Sequence, residues 1–269
     1  MNTIKINEGR FKESCYVKSG KGHPVLLLHG FAEDHTIWKY QIASLEKDYT
    51  VIAPDVPGSG LSVLHNDEMS LEFIADYVKY ILDKEGIDQV ILLGHSMGGY
   101  ASLAFAEMYP DSLLALGLIQ SSAYEDSEEK KETRRKSIAL IQNGGKEAFI
   151  RALIPNLYST RSQEEKKADM QTHLAVAMSL SSEAIIAYYS AMLKRKDRRE
   201  VLKQISVPVL FVIGSEDKAV APTDSIMQSA LPQVCVVNQL DEVGHSSMTE
   251  KPDELNSMLN SFCKYVLKG

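Results

Sequence analysis

Cysteine is scarce in this chain and shows no pattern. Cys15, Cys235 and Cys263 are odd in number and scattered over 269 residues, without metal-ligand spacing. That disfavours a disulfide framework and points to a reduced, cytoplasmic setting. Each thiol reads as a small buried apolar residue. A basic surplus is also missing. The formal net charge is −7 with no long basic run, so nucleic acid is not an expected partner. No apolar run approaches the roughly 20 residues that span a bilayer, so no membrane insertion is expected. The segment from Met1 to Glu8 lacks an apolar h-region, which argues against a secretory signal. The histidines do not cluster at metal-ligand spacing, so no metal is expected. Gly58-Ser59-Gly60 is too short for a phosphate-binding loop and has no lysine after it. With no Rossmann fingerprint either, no nucleotide cofactor is expected. Internal repeats and low-complexity tracts are absent.

What the chain does have is apolar content. At 44% hydrophobic it can bury a large core, as one α/β domain with room for an inserted subdomain. One stretch organises the rest. Val90 to Leu93 run directly into Gly94-His95-Ser96-Met97-Gly98-Gly99. The apolar run reads as a buried strand of a parallel sheet, and the residues after Gly99 read as a helix. The chain must reverse between them, with Ser96 at the apex in a strained conformation. Side chains at 94 and 98 would collide with the adjoining strand and helix. This is a G-x-S-x-G nucleophile elbow in the setting it requires.

Along the chain, residues 3–7 and 11–19 read as a two-stranded hairpin around Glu8-Gly9-Arg10. A second buried strand, Pro24 to Leu28, ends at His29-Gly30-Phe31, and Trp38 to Lys47 reads as a helix. Residues 50–53 form a third central strand, ending in the loop from Asp55 to Gly60. Ser70 caps a helix with apolar residues at Leu71, Ile74, Ala75, Val78, Ile81 and Leu82. Leu113 to Ile119 is another strand. The texture then changes. Residues 125–200 contain no strand-like run, and they carry 15 Lys and Arg against 12 Asp and Glu. They read as an inserted unit of about four helices, breaking near Gly144-Gly145, Pro155 and Ser181-Ser182. Alternation resumes with a strand over 207–214, a helix over 224–230, a strand over 234–237 and a last helix after Pro252. The pattern favours a doubly wound, mostly parallel sheet, with active residues at the carboxyl ends of its strands.

A serine hydroxyl needs a base, and the base needs a partner that sets its tautomer. After an elbow of this kind the order is Ser, then Asp or Glu, then His. Downstream of Ser96 stand only His173, inside the helical segment, and His245, on a loop at the sheet edge. His245 is therefore the expected base. The strand ending at Gly214 offers Glu216 and Asp217 as the acid, and the short Asp217 suits a fixed turn better. Asp241 and Glu242 read as solvated loop charges. An oxyanion needs two aimed backbone N–H donors. Met97 supplies one at a helix start, where the dipole also favours negative charge. Phe31, after the turn at Gly30, supplies the other. His29 is expected to hold that loop by hydrogen bonds, and Asp55 to play a structural part.

Together HGF at 29–31, DVPGSG at 55–60, GHSMGG at 94–99, GSED at 214–217 and GH at 244–245 resemble the α/β-hydrolase superfamily, over nearly the whole chain. The resemblance implies an eight-stranded, doubly wound, mostly parallel sheet with an all-helical cap. It places the core at residues 1–124 and 201–269 and the cap at 125–200. It also implies a triad of Ser96, Asp217 and His245, the acid standing three residues after the glycine, with Phe31 and Met97 as oxyanion donors. The serine nucleophile separates the chain from the branches that use Asp at this place. The helix-rich cap and HGF resemble small cytoplasmic carboxylesterases, cofactor-free haloperoxidase-like esterases and C–C bond hydrolases.

The leading expectation is thus a serine hydrolase acting on a small-molecule ester through an acyl-enzyme, without cofactor. Two alternatives stand beside it: a C–C bond hydrolase or menaquinone-pathway-like lyase on a carboxylate metabolite, and a slow-turnover ligand sensor. Arg134, Arg135, Arg151 and Arg161 would supply an anion clamp, or else a solvated helix face. Met170, Leu174, Met178, Tyr188, Met192 and Leu193 have the spacing of a helical core more than of a ligand wall.

Overall fold

A computed structural model of the chain describes residues 1–65 and 69–268. One sheet of eight strands carries the molecule, in the order β1-β2-β4-β3-β5-β6-β7-β8. The strands are β1 (Asn2–Lys5), β2 (Cys15–Ser19), β3 (Pro24–Leu28), β4 (Thr50–Pro54), β5 (Val90–His95), β6 (Leu113–Ile119), β7 (Val209–Gly214) and β8 (Cys235–Leu240). Only the β1–β2 and β2–β4 pairings are antiparallel. From β4 to β8 all neighbours run parallel. The central strands are buried along their whole length, β5 and β7 at every residue. A strand covered on both faces must be apolar throughout, which is why Val90 to Leu93 read as an unbroken apolar run.

The core helices are α1 (Lys39–Leu45), α2 (Leu71–Glu85), α3 (Met97–Met108), α10 (Pro222–Ser229), α11 (Ser247–Glu250) and α12 (Pro252–Val266). Ser70 caps α2 by accepting the N–H of Phe73, and Gly86 ends it at φ 66°. All six apolar positions expected for that helix are buried. Between β6 and β7 lie only helices: α4 (Glu128–Leu140), α5 (Lys146–Asn156), α6 (Thr160–Glu165), α7 (Lys167–Ser179), α8 (Ser182–Leu193) and α9 (Arg199–Gln204). The helical run thus has more pieces than the four expected and continues past residue 200. It sits on the carboxyl ends of the strands: Tyr188 Oη on α8 donates to the carbonyls of Val56 and Pro57 after β4. No single helix among the described residues is long and apolar enough to cross a membrane.

The expected N-terminal hairpin is shorter than its apolar pattern. β2 begins at Cys15, not at Phe11. Glu13 adopts φ 66°, which breaks the ladder, and Phe11 turns into an aromatic cluster with Phe73, Tyr77 and Tyr80. Its burial comes from α2 rather than from pairing along a strand.

The strand order also places the site. After β3 the chain steps to β4 on one side, then crosses to β5 on the other. Such a reversal opens a crevice beyond the carboxyl ends of the two adjacent strands. The loop after β3 begins at His29, and the turn after β5 is Ser96.

Candidate active site

Ser96 stands between β5 and α3 at φ 50°, ψ −114°. A non-glycine residue there stores on the order of 1–3 kcal/mol of strain. The surroundings over-determine it. Ser96 N donates to Ile119 O at 3.1 Å, while Ser96 O accepts from Tyr100 N at 3.1 Å and Ser121 Oγ at 2.8 Å. The flanking glycines are steric necessities. A Cβ on Gly94 would lie 2.5 Å from Gly98 O and from Ser102 Oγ. A Cβ on Gly98 would lie 2.3 Å from Leu28 O on β3. Helix and strand therefore approach as closely as the elbow pattern anticipates.

His245 and Asp217 meet as the spacing predicts. His245 Nδ1 is 2.8 Å from Asp217 Oδ2, and both residues are buried. The carboxylate only accepts, so Nδ1 carries a proton and Nε2 of the neutral ring is left as an acceptor. Asp217 Oδ1 is fixed by the N–H groups of Ala219 and Val220, at 2.8 and 2.9 Å. Glu216, the other expectation for the acid, is exposed. Ser96, His245 and Phe31 line one cavity of about 380 Å³. Met97 lies fully buried at the first position of α3. His173 is buried on α7, with Nδ1 3.3 Å from Tyr158 Oη, and burial lowers its pKa.

The loop after β3 is held from two sides. His29 Nε2 accepts the N–H of Val56 at 3.0 Å, so its Nδ1 carries the proton toward Gly30 O at 2.8 Å. Asp55 takes His35 N and Nδ1 on one oxygen and Leu61 N on the other. Asp34, His35 and Asp55 are close enough together to hold a metal ion. Both Asp55 oxygens are already engaged by N–H groups, which is the chemistry of a loop clasp. Gly30 N donates to Glu33 Oε2 at 2.6 Å. That N–H is therefore spent, and the next one along is Phe31's. The Phe31 ring stacks on Tyr189 of α8, with centroids 4.4 Å apart and planes 12° from parallel.

Four residues of the site carry no motif. Glu33 is 1% exposed and faces His95 Nδ1 at 3.0 Å. Burial favours its neutral acid, but the charge and hydrogen bond of His95 outweigh burial and bring the carboxyl to about 2. His95 in turn has its pKa raised: burial opposes this, and Glu33 prevails. His95 Nε2 then donates to His245 O at 2.8 Å, so a buried ion pair supports the backbone of His245. Glu250 accepts the N–H groups of Gly244, Ser246 and Ser159. Gln120, at φ 48°, donates to Gly244 O and accepts from Ser247 N and Oγ. His173 Nε2 lies 4.0 Å from Glu33 Oε1. Only the placement of Glu33 three residues after Gly30 could have drawn attention in the sequence.

Comparisons with known proteins identify the fold. The acetyltransferase component of the acetoin cleaving system of Pseudomonas putida is 28% identical over 90% of this chain. The chain spans 64% of that relative's length, less than two thirds of it. Lipase 1 of Psychrobacter immobilis is 26% identical over 92% of this chain and 79% of its own. Among solved structures, a thermophilic esterase from Thermogutta terrifontis, with malate bound, superposes at a TM-score of 0.92 and 27% identity, covering 99% of both chains. The family model for the alpha/beta hydrolase fold matches residues 23–252, from the residue before β3 to the first residue of α12. This chain belongs to the alpha/beta hydrolase fold family.

Proposed function

We propose that this chain is a serine hydrolase that cleaves a small carboxylic ester through an acyl-enzyme. The observation that carries the reading is the 2.8 Å contact of His245 Nδ1 with Asp217 Oδ2, in a cavity shared with the strained Ser96. Ser96 Oγ attacks the ester carbonyl while His245 Nε2 takes its proton. Negative charge gathers on the former carbonyl oxygen, where the N–H groups of Phe31 and Met97 hold it. The start of α3 adds its dipole. On collapse, His245 returns the proton to the departing alcohol. Water then attacks the acyl-enzyme by the same route and releases the acid. Asp217 keeps the imidazole in one tautomer and stabilises the imidazolium.

In this reading residues 125–200 are the cap, and residues 1–124 with 201–269 form the catalytic body. Three free thiols, two of them buried, suit a reducing compartment, so we place the protein in the cytoplasm. The test is hydrolysis of p-nitrophenyl butyrate. Ser96→Ala should lower kcat by about 10⁴-fold or more while leaving the melting temperature in place. Loss of labelling by a fluorophosphonate in the same variant would identify the nucleophile. Activity within tenfold of the parent would sink the assignment.

A further inference from the structure

The cavity over Ser96 is basic, in a chain whose net charge is −7. Its walls carry Lys130, Arg134 and Lys218 against Glu129, apart from Glu33, which His95 neutralises. Lys130 reaches from α4 to the loop after β7, where Nζ donates to Ala219 O at 2.9 Å. A carbonyl carries no net charge, so the ammonium stays uncompensated. Neither Lys130 nor Lys218 is ion-paired among the described residues.

Arg134 does have a carboxylate, with Nε 2.6 Å from Asp126 Oδ2. That buried carboxylate also holds Arg195, whose Nη2 lies 3.0 Å from Oδ1. Two guanidiniums therefore share one negative charge. Arg195 is 7% exposed, and its Nε and Nη1 have no hydrogen-bond partner among the described residues. It lies 3.7 Å above the ring of Tyr100, which lines the same cavity. The remaining arginines that might have formed a clamp behave differently. Arg135, Arg151 and Arg161 are exposed and paired with glutamates three or four residues away. Lys130 and Lys218 are exposed along this wall and Arg134 is half-buried in it, so an anion entering the cavity meets a net positive charge.

We propose that the substrate is itself an anion: a carboxylate-bearing ester, its scissile carbonyl at Ser96 and its charged end against Lys130, Arg134 and Lys218. The scissile half of this statement rests on the ester-hydrolase reading, whereas the anion site stands on its own observations. A cavity of about 380 Å³ suits a short chain ending in a carboxylate.

The experiment compares matched pairs. On the acyl side, mono-p-nitrophenyl glutarate is set against p-nitrophenyl butyrate. On the alcohol side, 4-acetoxybenzoate is set against phenyl acetate. For at least one pair the anion should be favoured in kcat/KM by roughly tenfold or more, the value of a charge-assisted contact. In Lys130→Met/Arg134→Gln the ratio should fall toward one, and high salt should lower it in the parent. Arg195 keeps Asp126 paired in that variant. A ratio cancels any general loss of activity, and Lys218→Met provides a second, single change. Ratios at or below one for both pairs, or ratios indifferent to the substitutions, overturn the anion site. If no ester is turned over, the hydrolase reading falls instead. Calorimetric binding of glutarate against glutaramide then decides the anion site. Preference for the dianion that is lost in the double variant supports it, and equal binding overturns it.

Discussion

Replacing Glu33 by glutamine separates charge from shape at the heart of the site. Glu33 Oε2 takes Gly30 N at 2.6 Å and His95 Nδ1 at 3.0 Å, with both side chains 1% exposed. A carboxyl brought from 4.5 to about 2 corresponds to about 3 kcal/mol favouring the ionised, folded pair. The raised pKa of His95 is the same interaction seen from its other end, so it is counted once. A carboxyl with a lowered pKa contributes stability above its unfolded value, lost as pH falls through the folded one. A histidine with a raised pKa contributes below its unfolded value, lost as pH rises through the folded one. The pair is therefore at full strength between roughly pH 4.5 and 6.5 and weakens on both sides. Burial lowers the pKa of His173, which disfavours the charged form of that neighbour.

In Glu33→Gln an amide oxygen in the place of Oε2 can still accept both Gly30 N–H and His95 Nδ1–H, without the negative charge. The shape is kept and the charge is lost, so the expected loss is about 3 kcal/mol, or roughly 5–10 °C in Tm near pH 6, shrinking on either side of the window. Glu33→Ala strands Gly30 N–H and His95 Nδ1 and leaves a cavity, costing about 3–5 kcal/mol at every pH. Thermal unfolding of the parent and both variants across pH measures this directly, and differences from the parent cancel all other titrations. A parent-minus-glutamine difference that is flat with pH would falsify the ion pair. Equal damage from glutamine and alanine would refute the hydrogen-bond account.

Other substitutions probe separate parts of the site. Asp217→Asn should lower kcat for p-nitrophenyl butyrate by about 10⁴-fold, because an amide facing Nδ1 favours the wrong tautomer. Glu216→Gln should change it less than about twofold, since that side chain is exposed. Gly98→Ala drives a methyl to within 2.3 Å of Leu28 O, where neither backbone can yield. It should destabilise by about 3 kcal/mol or more, read as lost soluble yield or a much reduced Tm. Glu250→Gln points an amide NH₂ at donors that now share a carboxylate. A loss of about 2 kcal/mol in Tm measurements, with a fall in kcat larger than any rise in KM, is the expected outcome.

The sheet was legible wherever one signal dominated. Val90 to Leu93 and Leu113 to Ile119 are buried on both faces, so composition alone marks them. The meeting of Asp217 with His245 was legible because the fold brings together positions set by strand ends, and strand ends can be counted. Glu33, Gln120 and Glu250 were not. Each serves through contacts with backbone N–H and C=O groups far away in sequence, and such contacts leave no pattern in residue types. Gln120 reaches 124 residues to Gly244. α4 shows a different limit. It buries no residue, so it has no apolar stripe from which to read its orientation. Nothing in the sequence tells Arg134, which faces the cavity, from Arg135, which faces water. Phe11 shows a third: an apolar residue beside a strand can be claimed by a helix instead.

The stacking of Phe31 on Tyr189 gives one residue two allegiances. Its amide belongs to the loop after β3, while its ring belongs to the helices above. If α8 lifts to admit a substrate, the motion must peel apart two aromatic faces, one of them on the residue whose N–H we propose as an oxyanion donor. Admission and arming share a part. On that reading a partly raised cover would leave the proposed oxyanion corner slack, and a seated one would draw it tight. Selectivity then has a second source besides the walls of the cavity. A molecule that fits beneath the helices would let the rings close, and one that propped them open would meet Ser96 with the proposed donor out of place.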